Sequence, residues 1–146
     1  MVTVNDLLDV KGYDIWTTGP GNSLQSALAL MAEKHIGALP IIEEGKLVGI
    51  FSERDFARHA AEFNDVLSLD IPVRDLMTSP VYFIEPEQTV EDCMVVMTAK
   101  KLRHLPVLSE GKLVGMVSIG DVVKHVLADK QKTIDVLEQF LWVNLI

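Results

Sequence analysis

The chain carries a single cysteine, Cys93. That excludes an intramolecular disulfide and any cysteine-based metal cluster. Cys93 falls in an apolar helical pattern and reads as a small buried hydrophobe. No run of about 18 apolar residues occurs, so no membrane span is expected. Basic residues are in deficit, 13 Lys and Arg against 21 Asp and Glu, for a net charge of −8. Such a balance argues against general binding of nucleic acid and against adsorption to anionic membranes. It leaves room for a phosphorylated small molecule, which needs only a local group of cations. The opening "MVTVNDLLDVKGYD" has early acidic residues and no long apolar core, unlike a signal peptide. The expected compartment is the cytoplasm. A nucleotide-binding glycine fingerprint is missing too. "TTGPGNS" has neither the Lys-Ser/Thr of a P-loop nor dinucleotide-fold spacing. No nucleophile–base pair or catalytic loop stands out, and the chain reads as a non-enzyme.

What the chain does have is a repeat. Its 146 residues suffice for one ordinary domain or two very small ones, and 49% are hydrophobic, enough for a core. A shift of 66 positions lays "HIGALPIIEEGKLVGIFSERDFARH", His35 to His59, on "KLRHLPVLSEGKLVGMVSIGDVVKH", Lys101 to His125, with 11 of 25 pairs identical and no gap. The same shift pairs Pro20 with Pro86, Ser23 with Thr89 and Met31 with Met97. Upstream, "VNDLL" matches "VRDLM" after a three-residue loop difference. Two copies are too few for a solenoid. They predict two similar units about a pseudo-twofold axis, spanning 1–66 and 67–130, with a C-terminal helix or tail over 131–146.

Each copy predicts β-α-β-β-α. "IWTT" and "VYFI" read as short strands. Ser23 and Thr89 are helix N-caps, followed by apolar residues at helical spacing. "ALPII" and "HLPVL" are strands, each leading through a Glu-Gly-Lys turn into the return strands "LVGIFS" and "LVGMVS". Gly49 and Gly115, inside those strands, mark close approach of another group. A second helix begins at each Ser-x-x-Asp, and "FNDVLSLDIP" joins the units. Ser-x-x-Asp has two readings. It is a capping box, stabilising a helix start by about 1 kcal/mol. It also places a carboxylate at a helix N-terminus, where a ribose cis-diol can donate two charge-assisted hydrogen bonds of about 1.5–3 kcal/mol each.

The order β-α-β-β-α, the "LP(I/V)" strand and the doubled phrase G-h-x-h-S-x-x-D (h apolar), with "VRDLM", "SERD" and "SIGD" in register, resemble a tandem pair of cystathionine-β-synthase (CBS) domains. The resemblance covers roughly Val4 to Leu127. It implies a mixed α/β (α+β) module with two clefts, each taking an adenosine-containing ligand: AMP, ADP, ATP, NAD or S-adenosylmethionine. It implies a regulatory role, no required cofactor and no metal, and a homodimer, with a protein partner through the C-terminal tail as a further expectation. A ligand-free structural or interaction dimer is the alternative. By the resemblance, Asp55 with Ser52 and Arg54 faces Thr78, Tyr82, Phe83, Ile84, Arg103, His104, Leu105 and Pro106. Asp121 with Ser118, Ile119 and Gly120 faces Ile15, Trp16, Thr17, Thr18, Gly37, Ala38, Leu39 and Pro40. Strand backbones would bond the base edge and apolar side chains would sandwich the ring.

The clefts differ in charge. Arg54, Lys100, Lys101, Arg103 and His104 gather near Asp55, whereas only Lys11 and Lys34 lie near Asp121. On that count the Asp55 cleft is expected to prefer the more highly phosphorylated ligand. The alternative for "KKLRH" is a helix end whose cations complement the dipole. His59 and His125 hold equivalent places near helix ends and do not make a convincing metal site. "TIDVLEQFLWVNLI" forms an amphipathic helix on paper and is expected to pack on its own module or at an interface.

Overall fold

The structure is a computed structural model that describes residues 1–62, 68–128 and 138–139. Its elements run α1 (Val4–Lys11), α2 (Leu24–Lys34), β1 (Ala38–Glu43), β2 (Lys46–Ser52), α3 (Glu53–Glu62), a 3₁₀ turn (Val73–Asp75), α4 (Val90–Lys100), β3 (His104–Ser109), β4 (Lys112–Ser118) and α5 (Ile119–Leu127). The first half of "FNDVLSLDIP", residues 63–67, and nearly all of the expected C-terminal helix lie outside the described residues. No described helix is long and apolar enough to cross a membrane.

The repeat survives as repeated local chemistry. Ser23 and Thr89 cap α2 and α4, their side chains accepting from Ser26 N–H and Asp92 N–H. Both helices end on a left-handed residue, His35 at φ 54° and Lys101 at φ 56°. Glu44 and Gly45 (φ 50° and 76°) turn the first hairpin, and Glu110 and Gly111 (51° and 79°) the second. Positive φ at both central residues is the type I′ turn whose twist suits an antiparallel pair. The hairpins β1–β2 and β3–β4 accordingly share one register, Pro40 opposite Ile50 and Pro106 opposite Met116.

"IWTT" and "VYFI" do not form regular strands. Each contributes one residue to a parallel bridge, Thr18 to Ile41 and Ile84 to Val107. The proline in each "LP" explains this. Thr18 N–H donates to Pro40 O and Ile42 N–H donates to Thr18 O. The next rung back would need an N–H from Pro40, which has none. Ile84 stands in the same way between Pro106 O and Leu108 N–H. Each ladder stops there, so the backbone around Trp16 and Tyr82 does not continue it.

Two apolar cores form, and each borrows a segment from the other side of the 66/67 boundary. One joins Leu24, Ala27, Met31, Leu39, Ile41 and Phe51 to Val73 and Leu76. The other joins Ile84, Val90, Cys93, Met97, Leu105, Val107, Val117 and Val122 to Val4, Leu7 and Leu8 of α1. Backbone bonds fix the exchange: Val4 N–H to Gln88 O (2.7 Å), Val90 N–H to Val2 O (3.1 Å), Leu24 N–H to Ile71 O (2.8 Å) and Val73 N–H to Asn22 O (2.8 Å). The strand glycines make the close packing feasible. A methyl at Gly49 would strike the Met77 thioether, and one at Gly115 would lie 2.8 Å from both Leu8 methyls.

Candidate functional site

The Ser-x-x-Asp motifs start α3 and α5 at two poles of the molecule, and each pole is closed by a segment from the other half. At the first pole, Ser52 N–H (2.9 Å) and Ser52 Oγ–H (3.1 Å) donate to Asp55 Oδ2, and Asp55 N–H donates to Ser52 Oγ (3.2 Å). Thr78 Oγ1–H donates to Asp55 Oδ1 at 3.0 Å. The Thr78 backbone also exchanges both bonds with Ile50 on β2 (3.0 and 2.8 Å). Both carboxylate oxygens are therefore engaged, and Asp55 is only 6% exposed.

The second pole is looser. Ser118 N–H donates to Asp121 Oδ2 (2.8 Å) and Asp121 N–H to Ser118 Oγ (3.2 Å). Where Thr78 sealed the first pole with backbone, a side chain does the work here. Lys11 Nζ, from the last turn of α1, donates to Asp121 Oδ2 (2.6 Å) and to Met116 O (2.5 Å), Met116 being the repeat partner of Ile50. Every bond that the described residues make to this carboxylate falls on Oδ2, and the side chain is 21% exposed. Burial pushes the Asp121 carboxyl up, but the hydrogen bonds from Lys11 and Ser118 outweigh it and hold it below the usual carboxylate range.

Beside Asp121 opens a cavity of about 320 Å³, lined by Lys11, Asp14, Ile15, Trp16, residues 35–38, Pro40, His104, Met116 and Ser118. Its size lies at the lower end of ordinary small-molecule sites, about 300–1,000 Å³. Trp16 is 40% exposed and carries Lys34 Nζ 4.1 Å above its ring centre. His104 reaches across to Gly37, its Cε1 3.3 Å from the point a Cβ would take there. Burial pulls its imidazole below the ordinary value, Lys11 adds to that, and Glu53 and Asp121 oppose it. A larger, wide-open depression of about 770 Å³ near Tyr13 and Leu113 contains neither Ser-x-x-Asp motif.

The expected site residues are therefore divided. Trp16, Gly37, Ala38, Pro40 and Ser118 share the cavity beside Asp121, and Ser52, Asp55 and Thr78 meet at the other pole. His104, assigned by resemblance to the Asp55 cleft, lines the Asp121 cavity instead. Leu39, Ile84 and Leu105 are fully buried in the cores, and Pro106 is also buried, so these residues offer a ligand backbone at most. Thr17 is exposed, while Thr18 holds the bridge to β1 and accepts from Asn22 Nδ2 (2.8 Å). Ile119 and Gly120 are exposed in the first turn of α5. Around Asp55 the expected cations do not converge, although Arg58, which was not among them, places Nη1 3.7 Å from Asp55 Oδ1. Arg54 Nη1 donates to Lys101 O (3.1 Å) at the end of α4, Lys100 sits 5.1 Å above the Tyr82 ring, and Arg103 and Phe83 are exposed. Sequence reasoning missed Asp14 and Met116 as cavity walls. Self-comparison gives no signal for them, because Met116 aligns with Ile50 and Asp14 with Pro80. Among the described residues, no group of His, Cys, Asp and Glu is placed to hold a metal ion.

Two capped acidic helix starts, each closed by a segment from the other half, are thus the shared design of the poles. The family profile described as CBS domain matches the chain twice, over residues 9–62 and 73–128. The chain belongs to the CBS-domain family. This CBS pair is similar to the CBS domain-containing protein YhcV of Bacillus subtilis (strain 168), 28% identical over 128 residues, covering 87% of this chain and 89% of YhcV. The crystal structure of the CBS-domain protein NE2398 superposes with a TM-score of 0.80 at 42% identity, covering 86% of this chain and 97% of that one. CBSX2, solved in complex with AMP, gives a TM-score of 0.73 at 29% identity, covering 89% and 99%. The tandem-repeat architecture inferred from the sequence is therefore that of the chain.

Proposed function

We propose that this CBS pair is a regulatory module that binds one adenosine-containing ligand in the cavity beside Asp121. The observation that carries this reading is the asymmetry of the two carboxylates. Asp121 is bonded to Lys11 and Ser118, which line a cavity with an aromatic wall, and its Oδ1 takes no hydrogen bond from the described residues, whereas Asp55 is buried with both oxygens engaged. A ribose at Asp121 would meet a helix N-terminus and an ionised acid, and the ring would lie against Trp16 and Pro40. An AMP complex of a neighbour of the same fold supports the ligand class. ADP, ATP, NAD and S-adenosylmethionine remain to be ranked against AMP. Ligand binding would stabilise the fold by mass action, about 2.7 kcal/mol at 100 times the dissociation constant. It acts as a signal to the extent that two conformations bind the ligand differently.

Titration calorimetry with AMP tests the reading. We expect about one ligand per chain. Asp121→Ala should lose binding by tenfold or more, about 1.4 kcal/mol, while Asp55→Ala should chiefly lower thermal stability. Equal losses of affinity in both variants would sink the single-site reading. The homodimer belongs to the same proposal. Ile119, Val123 and Val126 are 42–49% exposed along one face of α5, an apolar stripe suited to a second copy.

A further inference from the structure

Lys11 stands at the carboxylate to which the reading above assigns a ligand's sugar. Its ammonium is held by Asp121 Oδ2 at 2.6 Å and by Met116 O, and both Lys11 and Met116 line the cavity. The ion pair is half-open, the two side chains being 34% and 21% exposed, so it exchanges readily. Lys11 is also the last residue of α1, followed by Gly12 at φ 108°, while the body of α1 is anchored through Val4, Leu7 and Leu8. The lysine can therefore swing without moving the helix. At the first pole the seal is the Thr78 backbone, and the cation near Asp55, Arg58 Nη1 at 3.7 Å from Oδ1, stands on α3 itself rather than on an arm from the other half.

A ribose diol has two hydroxyls: one can donate to the open Oδ1 of Asp121, and the second competes with Lys11 for Oδ2. A bare nucleoside that displaces the ammonium gives it nothing in return. A nucleoside with a 5′-phosphate brings a new anion, and the loss is offset by a charge-assisted bond. Resting on the adenosine-site reading above, we propose that Lys11 is a specificity-determining residue that makes the Asp121 cleft select phosphorylated nucleosides over the bare nucleoside. It acts as an internal competitor in the empty state and as a phosphate ligand in the filled one. This reverses the charge-count expectation, which gave the phosphorylated ligand to the Asp55 cleft.

The test is calorimetry on the full chain with AMP and adenosine, for wild type, Lys11→Met and Lys11→Arg. Wild type should bind AMP about tenfold or more tighter than adenosine. Lys11→Met, which keeps the apolar stem, should weaken AMP and strengthen adenosine, so that the ratio falls to about threefold or less. Lys11→Arg should retain most of the discrimination. A ratio unchanged in Lys11→Met overturns the role of Lys11 while leaving the adenosine site intact. Failure of the wild type to bind either ligand overturns both readings. A second measurement needs no variant: the isotope-labelled Lys11 ε-amine of the wild type should shift in a different direction with AMP than with adenosine. Identical responses overturn the proposal.

Discussion

His104 begins β3 in the space that Gly37 leaves free, and its surroundings are electrically mixed. Lys11 and Arg103 disfavour a proton on the ring, Glu53 and Asp121 favour one, and burial tips the balance toward the neutral form. The folded imidazole therefore takes its proton at lower pH than the unfolded chain does. Between the lowered value and the ordinary imidazole value of 6.5, the unfolded state binds more protons, so stability falls as pH drops through that window. Urea midpoints measured above and below pH 6.5 should show this loss, and His104→Gln should flatten it. An equally steep decline in the variant would place the effect elsewhere. Asp121 works at lower pH still. Its depressed carboxyl contributes stability above the ordinary carboxylate value, which is lost as pH falls through the folded value. Burial pushes the Cys93 thiol up to about 11, which keeps it a neutral packing group at physiological pH. The burial of Cys93 was legible in the sequence from its helical neighbours. The placement of His104 was not, because strand alternation says which face a residue takes but not which cleft lies beyond that face.

Among the elements, the caps and turns were the most legible, since their chemistry is local. Thr89 and Ser118 form the reciprocal capping boxes that the pattern predicts. The first strand of each unit was misread because β-branched and aromatic residues there resemble a strand, while the proline that halts the ladder sits in a different segment. Gly115 shows how tightly α1 lies on β4. Gly115→Ala drives a methyl to 2.8 Å from both Leu8 methyls, with Leu8 itself fully buried. A cost of about 1–3 kcal/mol is expected for such overpacking. Gly111→Ala on the neighbouring turn, where nothing lies within 4 Å, isolates the strain of a φ of 79° from packing. Denaturation of Gly115→Ala alone and combined with Leu8→Ala measures the clash. If Leu8→Ala fails to relieve the cost of Gly115→Ala, the packing account is wrong.

At the scale of the whole molecule, the exchange of segments was hidden from self-comparison. Matching "VNDLL" to "VRDLM" says that the two arms are alike, not which core each one completes. Removal of residues 1–12 tests the exchange. Val4, Leu7 and Leu8 are buried in the core of the second half, and each contributes about 1.5–3 kcal/mol. Hydrogen exchange in the truncated chain should lose protection first in α4, β3 and β4, with β1 and β2 holding longer. Early loss in β1 and β2 would contradict the packing. The exchange also constrains how such a chain can have arisen. Cut at its midpoint, neither piece owns the arm that lies against its own hydrophobic interior. A half-length ancestor could have completed that interior only by trading arms with a sister molecule, so association would have preceded the gene duplication that joined the two.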